Sequence, residues 1–190
     1  MFKKFGLVVS LFILSGCTSI VSLDKRVSFD AEQFARKIDA SETSNKILGS
    51  EKNQSLKIVV TPDSFTGSAI ALNLDVGTTF NAMIKQLSTY SGFNCESNCY
   101  EIIVSLQNPK VKYSLNMMTA SGYDYGGFEC DVQYKIAPNS KPITKHYQYT
   151  KHNKNDEFDG SNRILGPVLD SMEFVVLQLI KDIKTNLKSI

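Results

Sequence analysis

The stretch Phe128-Glu129-Cys130-Asp131-Val132-Gln133-Tyr134-Lys135-Ile136 decides the fold. Apolar side chains fall at every even position and polar ones at every odd position. That period of two is the signature of a strand with one face on a core and one in water. Such a strand needs partners on both edges and a cover over its apolar face. The sequence on either side supplies them.

Upstream, Tyr100, Ile102, Val104 and Leu106 are apolar at even numbers, and Val111, Tyr113, Leu115 and Met117 at odd numbers. The parity switches across Asn108-Pro109-Lys110. One inserted residue there, a bulge or kink, keeps both halves on one core. Downstream, Ala137 to Pro142 reads as a turn, and Ile143, Tyr147 and Tyr149 continue the apolar face. Further upstream, Leu56 to Val60 and Ile70 to Val76 read as two more short strands. Between them and Tyr100, Phe80, Met83, Ile84, Leu87 and Tyr90 lie on one face of a helix, capped by Thr78 or Thr79 and stopped by Gly92 at C′. Leu165, Val168, Leu169, Met172, Val176, Leu179, Ile180, Ile183 and Leu187 stripe a long terminal helix. The expected fold is α+β: a mostly antiparallel sheet of four to five strands with two helices on one face, in the order β-β-α-β-β-β-α.

Apolar residues make up 42% of the 190 and charged residues 21%, which excludes a disordered chain and a multi-pass membrane protein. The net charge is +2. Loss of Lys3 and Lys4 with a signal segment would bring the 21 basic residues level with the 19 acidic ones. A chain so balanced has no global pull on nucleic acid.

Residues 1–16 read as a secretory signal. Lys3 and Lys4 precede the apolar run Leu7 to Leu14, which is shorter than the about 20 residues a comfortable spanning helix needs. Leu14-Ser15-Gly16-Cys17 resembles the lipobox of bacterial lipoprotein precursors. The resemblance implies a diacylglycerol thioether on Cys17, cleavage before it and acylation of the new amine. Acyl chains contribute about 0.8 kcal/mol per buried methylene, so several of them, palmitate among them, make a permanent membrane anchor. Thr18, in place of Asp, implies the outer membrane, with the body facing the periplasm. Residues 17–54 are mostly polar and read as a tether, with Asp30 to Asp39 as a short helix that either rests on the body or orders on a partner. Residues 55–190 form the single periplasmic domain.

The element order of the body resembles a group of small outer-membrane lipoproteins, the YajG-like lipoproteins and the lipoprotein partner of the lipopolysaccharide translocon. Phe80 to Phe93, closed by Gly92-Phe93, is the nearest local match. No functional residue carries across.

With Cys17 set aside, Cys95, Cys99 and Cys130 remain, in a compartment that favours disulfides. Glu96-Ser97-Asn98 is turn chemistry that can join Cys95 to Cys99; a bridge to Cys130 and a metal or redox role are the alternatives. Cys130 points to an apolar face, where a free cysteine behaves as a small hydrophobe. His146 lies on a polar strand face and His152 in a charged loop. Asn155 to Gly160 has some of the acidic spacing of a calcium loop, but position twelve is Gly166 where glutamate is required. Seven of the eight tyrosines fall between Tyr100 and Tyr149, with parity that suits a core. Tyr123 and Tyr125 differ: Gly122-Tyr-Asp-Tyr-Gly-Gly127 reads as a turn whose tip could contact a partner.

No phosphate loop, zinc-protease motif or nucleophile elbow is present in the sequence, and no cofactor or metal is implied. The reading that follows is a non-enzymatic, lipid-anchored outer-membrane lipoprotein of the cell envelope. Its partners are the membrane, through the lipid, and an envelope protein, with no nucleic acid. The alternative is a small-ligand or lipid-binding module that uses the space between helices and sheet.

Overall fold

The computed structural model describes residues 27–50, 56–60, 70–114, 125–153 and 162–189. In chain order the elements are helix α1 (Phe29–Lys37), strands β1 (Asn45–Gly49), β2 (Leu56–Val60) and β3 (Ile70–Leu74), helix α2 (Val76–Tyr90), strands β4 (Tyr100–Ser114), β5 (Tyr125–Tyr134) and β6 (Ile143–His152), and helix α3 (Asn162–Leu187). Four strands form one sheet in the order β1-β4-β5-β6, and β2 and β3 pair as an antiparallel hairpin of their own. The pairs β4–β5 and β5–β6 are antiparallel, whereas β1 runs parallel to β4. The α+β class and the helix-covered, mostly antiparallel sheet are as the sequence reads.

The strand that decides the fold behaves as its alternation requires. Phe128, Cys130, Val132 and Tyr134 are buried, and Glu129, Asp131 and Gln133 turn to the other face. In β4 the parity switch is a bulge. Gln107 pairs with Asp131 and Lys110 with Glu129, so Asn108 and Pro109 stand opposite the single residue Cys130. Asn108 has a φ of 48°, which asparagine tolerates better than most residues. Ile102, Val104 and Leu106 before the bulge are buried, as is Pro109 within it, and Val111 and Tyr113 after it are half-buried against the core.

α3 covers β5 and β6, and α2 packs on β1 and against α3. Phe80, Met83, Ile84 and Leu87 of α2 and Met172, Val176, Leu179, Ile180 and Ile183 of α3 are fully buried between them and the sheet. Gly126 lets α3 come close to β5: a Cβ there would stand 2.4 Å from the Val168 main-chain nitrogen. Ser171 sits at this crossing, donating to the carbonyl of Gly126 at 2.8 Å and accepting from the Lys151 amide at 3.1 Å.

Several boundaries differ from the sequence reading. α2 is capped by Asp75 and not by Thr78 or Thr79; the Asp75 carboxylate accepts from the Thr78 amide at 3.0 Å, and so Val76 belongs to the helix and not to β3. Its other end is as expected. Gly92 has φ 84°, and Phe93 and Gly92 donate to the carbonyls of Ser88 and Thr89, the two bonds of a Schellman motif. The turn expected over Gly122 to Gly127 is shorter, because β5 already begins at Tyr125.

The larger correction concerns the tether. The folded body begins well before residue 55. α1 lies on the outer side of α2 and α3, with Ala31 and Ala35 buried against them and Phe34 turned outward. The Val27 amide donates to Gln86 Oε1 at 3.0 Å. Ser28 caps the helix and donates twice to the Glu173 carboxylate, from its amide at 3.0 Å and its hydroxyl at 2.7 Å. The link after α1 is held by Lys184, which is only 4% exposed. Its ammonium donates to the carbonyls of Asp39, Ser41 at 2.9 Å and Ser91 at 2.7 Å. Three donors meet three acceptors, which is how a buried lysine is satisfied. β1 then enters the sheet beside β4.

Candidate functional site

A surface groove runs between β1 and α2. It is about 710 Å³, lined on one side by Lys46, Leu48 and Gly49 and on the other by Asn81, Lys85 and Thr89. Glu96 and the Cys95–Cys99 turn stand at one end. β1 is an edge strand, bonded to β4 and to no other described strand. The Ser44 carbonyl accepts from Tyr100, and the Ser50 amide donates to Val104. In a parallel pair both main-chain groups of alternate residues point the same way, so the even positions of β1 face β4 and the odd ones face the other edge, where Ile47 is covered and Asn45 and Gly49 are half-buried. The rim carries two lysines against one glutamate. The arrangement offers a partly open strand edge at Asn45 and Gly49 beside cationic side chains, and favours a segment that brings carboxylates.

The disulfide is the one the spacing favours: Cys95 is bonded to Cys99, with Cα atoms 5.9 Å apart. Cys130 is a free, buried thiol, and burial pushes it up to about 12. At that value it is neither a nucleophile nor a ready metal ligand.

Tyr125, at the start of β5, is half-buried opposite His152, with ring centroids 5.8 Å apart. Tyr123, Cys17 and the segment Asn155 to Gly160 lie outside the described residues. Tyr134 and Tyr147 are core residues tied to α3: Tyr147 donates to Asp182 at 2.8 Å, and Asn186 donates to the Tyr134 hydroxyl at 3.0 Å. Burial and the Asp182 carboxylate push the Tyr147 phenol well above the usual range. The space between helices and sheet, expected to hold a small ligand under the alternative reading, is filled among the described residues by such side chains.

The open face of the sheet carries a polar lattice. Asp131 accepts from Asn108 Nδ2 at 3.0 Å and pairs with His146 Nδ1 at 2.9 Å. Hydrogen bonding from Asn108, then His146, lowers its carboxyl. Glu129 is gripped by Lys112 at 2.7 Å and Lys110 at 2.9 Å, which bring it down to about 2. Among the described residues no group of three or more His, Cys, Asp or Glu side chains could hold a metal ion, and no helix is long and apolar enough to cross a membrane.

The groove was not legible in the sequence, because Lys46, Lys85 and Glu96 belong to three separate elements. Its one local signal was the Cys95–Cys99 turn.

No family model and no curated protein matches this chain. Among solved structures, it is similar to a Xanthomonas campestris protein of the DUF330 family, at 9% identity and a TM-score of 0.41 over 76% of this chain and 84% of that one. It is also similar to a Caulobacter crescentus protein provisionally described as a lipoprotein, at 9% identity and a TM-score of 0.38 over 84% and 93%.

Proposed function

We propose that this chain is a lipid-anchored, non-enzymatic lipoprotein of the outer membrane that holds an envelope protein in the periplasm, taking an extended segment of it along β1. The observation that carries the binding role is the outward edge of β1, faced by α2 and rimmed by Lys46 and Lys85. Main-chain bonds to such an edge give affinity, and the flanking side chains give selectivity. The anchor is supported by Leu14-Ser15-Gly16-Cys17, and the outer membrane by Thr18 after it. A non-enzymatic role is supported by where the reactive groups sit. Cys130 is buried and protonated, Lys184 is enclosed by carbonyls, and His146 is paired on an open sheet face and not in a cleft.

The test places a photo-crosslinking residue at Lys85 or at Gln148 in the full chain and irradiates intact cells. One dominant protein adduct from position 85 and none from position 148 is expected. Adducts from both positions, or from neither, would count against the groove. A second reading, a small ligand in the same groove, is favoured by its volume, which lies within the usual range of ligand sites. Native mass spectrometry showing a co-purified small molecule, with no protein adduct, would select that reading.

A further inference from the structure

We propose that the face made by α1 and the C-terminal half of α3 rests on an anionic lipid bilayer, with Phe34 at the acyl boundary and Lys37, Lys181 and Lys188 among the headgroups. The proposal rests on the anchor reading above. Phe34 is 39% exposed, and it walls a groove of about 390 Å³ shared with Ile38 and these three lysines. Lys37 and Lys181 are exposed, and neither meets a carboxylate among the described residues. Lys188 is paired with Asp39, and Lys184 at the floor is taken up by main-chain carbonyls. The groove therefore offers cationic charge that the protein does not neutralise, beside an exposed ring and a half-buried isoleucine. That is the composition of a surface that lies in a membrane interface.

The position of the chain points the same way. The described body begins at Val27, ten residues after Cys17. Ten residues span at most about 35 Å. The nine residues of α1 cover about 14 Å. A bilayer that holds Cys17 is thus within reach of every part of α1. Asp30 and Glu32 occupy its first turn, while Arg36 and Lys37 occupy its last, which assigns the contact to the C-terminal end. The open face of the sheet lies on the far side of α2 and α3 from α1, and there Glu129 is paired with Lys110 and Lys112 and Asp131 with His146.

The chain contains no tryptophan, so a single indole reports one position. Phe34→Trp marks the proposed contact, and Ile103→Trp, at a side chain 56% exposed on the open sheet face, marks the opposite side. The full chain, purified from membranes with its own processing, is mixed with vesicles of phosphatidylglycerol carrying brominated acyl chains. Quenching of the Phe34→Trp indole and not of the Ile103→Trp indole is expected. Each lysine near an anionic surface strengthens association about fivefold, so adding Lys37→Gln and Lys181→Gln to Phe34→Trp should weaken contact about 25-fold and abolish most of the quenching. Equal quenching of the two indoles, no quenching of Phe34→Trp, or indifference to the lysines overturns the proposed face. Flotation on neutral phosphatidylcholine vesicles scores the anchor separately. Its loss counts against lipidation, and the quenching still decides the face.

Discussion

Replacing Lys184 by methionine keeps the stem of the side chain and removes the ammonium that joins three parts of the fold. The lost bonds run to the carbonyls of Asp39 and Ser41 in the link after α1 and of Ser91 at the end of α2. Hydrogen bonds from a charged donor contribute about 1.5–3 kcal/mol each. Burial pushes the ammonium below the ordinary lysine value, so the charge is held at a desolvation cost that methionine does not carry. That cost, several kcal/mol per buried ion, offsets much of the loss and leaves a net destabilisation of about 2–4 kcal/mol. For a body of this length the change lowers the melting temperature by about 5–15 °C. The damage should also be local. The Thr43 amide, which donates to the Gly92 carbonyl at 3.0 Å, should lose hydrogen-exchange protection before the amides of β5. Lys181→Met, one turn away and exposed, is the control and should stay within about 0.5 kcal/mol of the parent. A Lys184→Met protein with an unchanged melting temperature and a protected Thr43 amide would refute the claim that residues 27–50 belong to the folded body.

At Gly126, an added methyl meets main-chain atoms of Pro167 and Val168 that cannot move aside, so Gly126→Ala should cost about 1–3 kcal/mol in urea denaturation. Glu129 binds its proton near pH 4.5 when unfolded and near pH 2 when folded. The unfolded chain thus holds the extra proton between those values, so the stabilisation is complete above about pH 4.5 and drains as pH falls toward 2. Glu129→Gln should therefore flatten the acid limb of the stability curve, measured by chemical denaturation at a series of pH values. Mass mapping of the unreduced protein should find Cys95 joined to Cys99 and Cys130 as a thiol that alkylates only after unfolding; alkylation of Cys130 in native buffer would contradict its burial.

The parts of this fold that the sequence announces are those with a sustained period. The alternation of β5, the stripes of α2 and α3, and the parity switch that becomes the bulge at Asn108 and Pro109 are all legible one segment at a time. β1 is not. Asn45-Lys-Ile-Leu-Gly49 is five residues with two adjacent apolar side chains and no alternation, and it earns its place only by pairing with Tyr100 to Val104, far along the chain. α1 is announced as a short helix over Asp30 to Asp39, but the face it packs is not: Phe34 and Ile38, four apart, suggest an apolar stripe, while Ala31 and Ala35 make the actual contact. A close helix crossing selects small residues, and hydropathy alone ranks them below phenylalanine. Asp75 was hidden as a cap because Val76 continued the period of β3. One wall of the groove is β1, which the sequence does not announce, and so its lysines stood out only in three dimensions.

The anchor underlies the whole account, and intact mass spectrometry of the N-terminal peptide tests it most directly. The full chain is purified from membranes and digested, and the peptide containing position 17 is weighed. The expected peptide begins at Cys17, lacks residues 1–16 and carries the mass of a diacylglyceryl thioether and an N-linked acyl chain. A peptide with a free thiol at Cys17, or one that still joins Gly16 to Cys17, would contradict it.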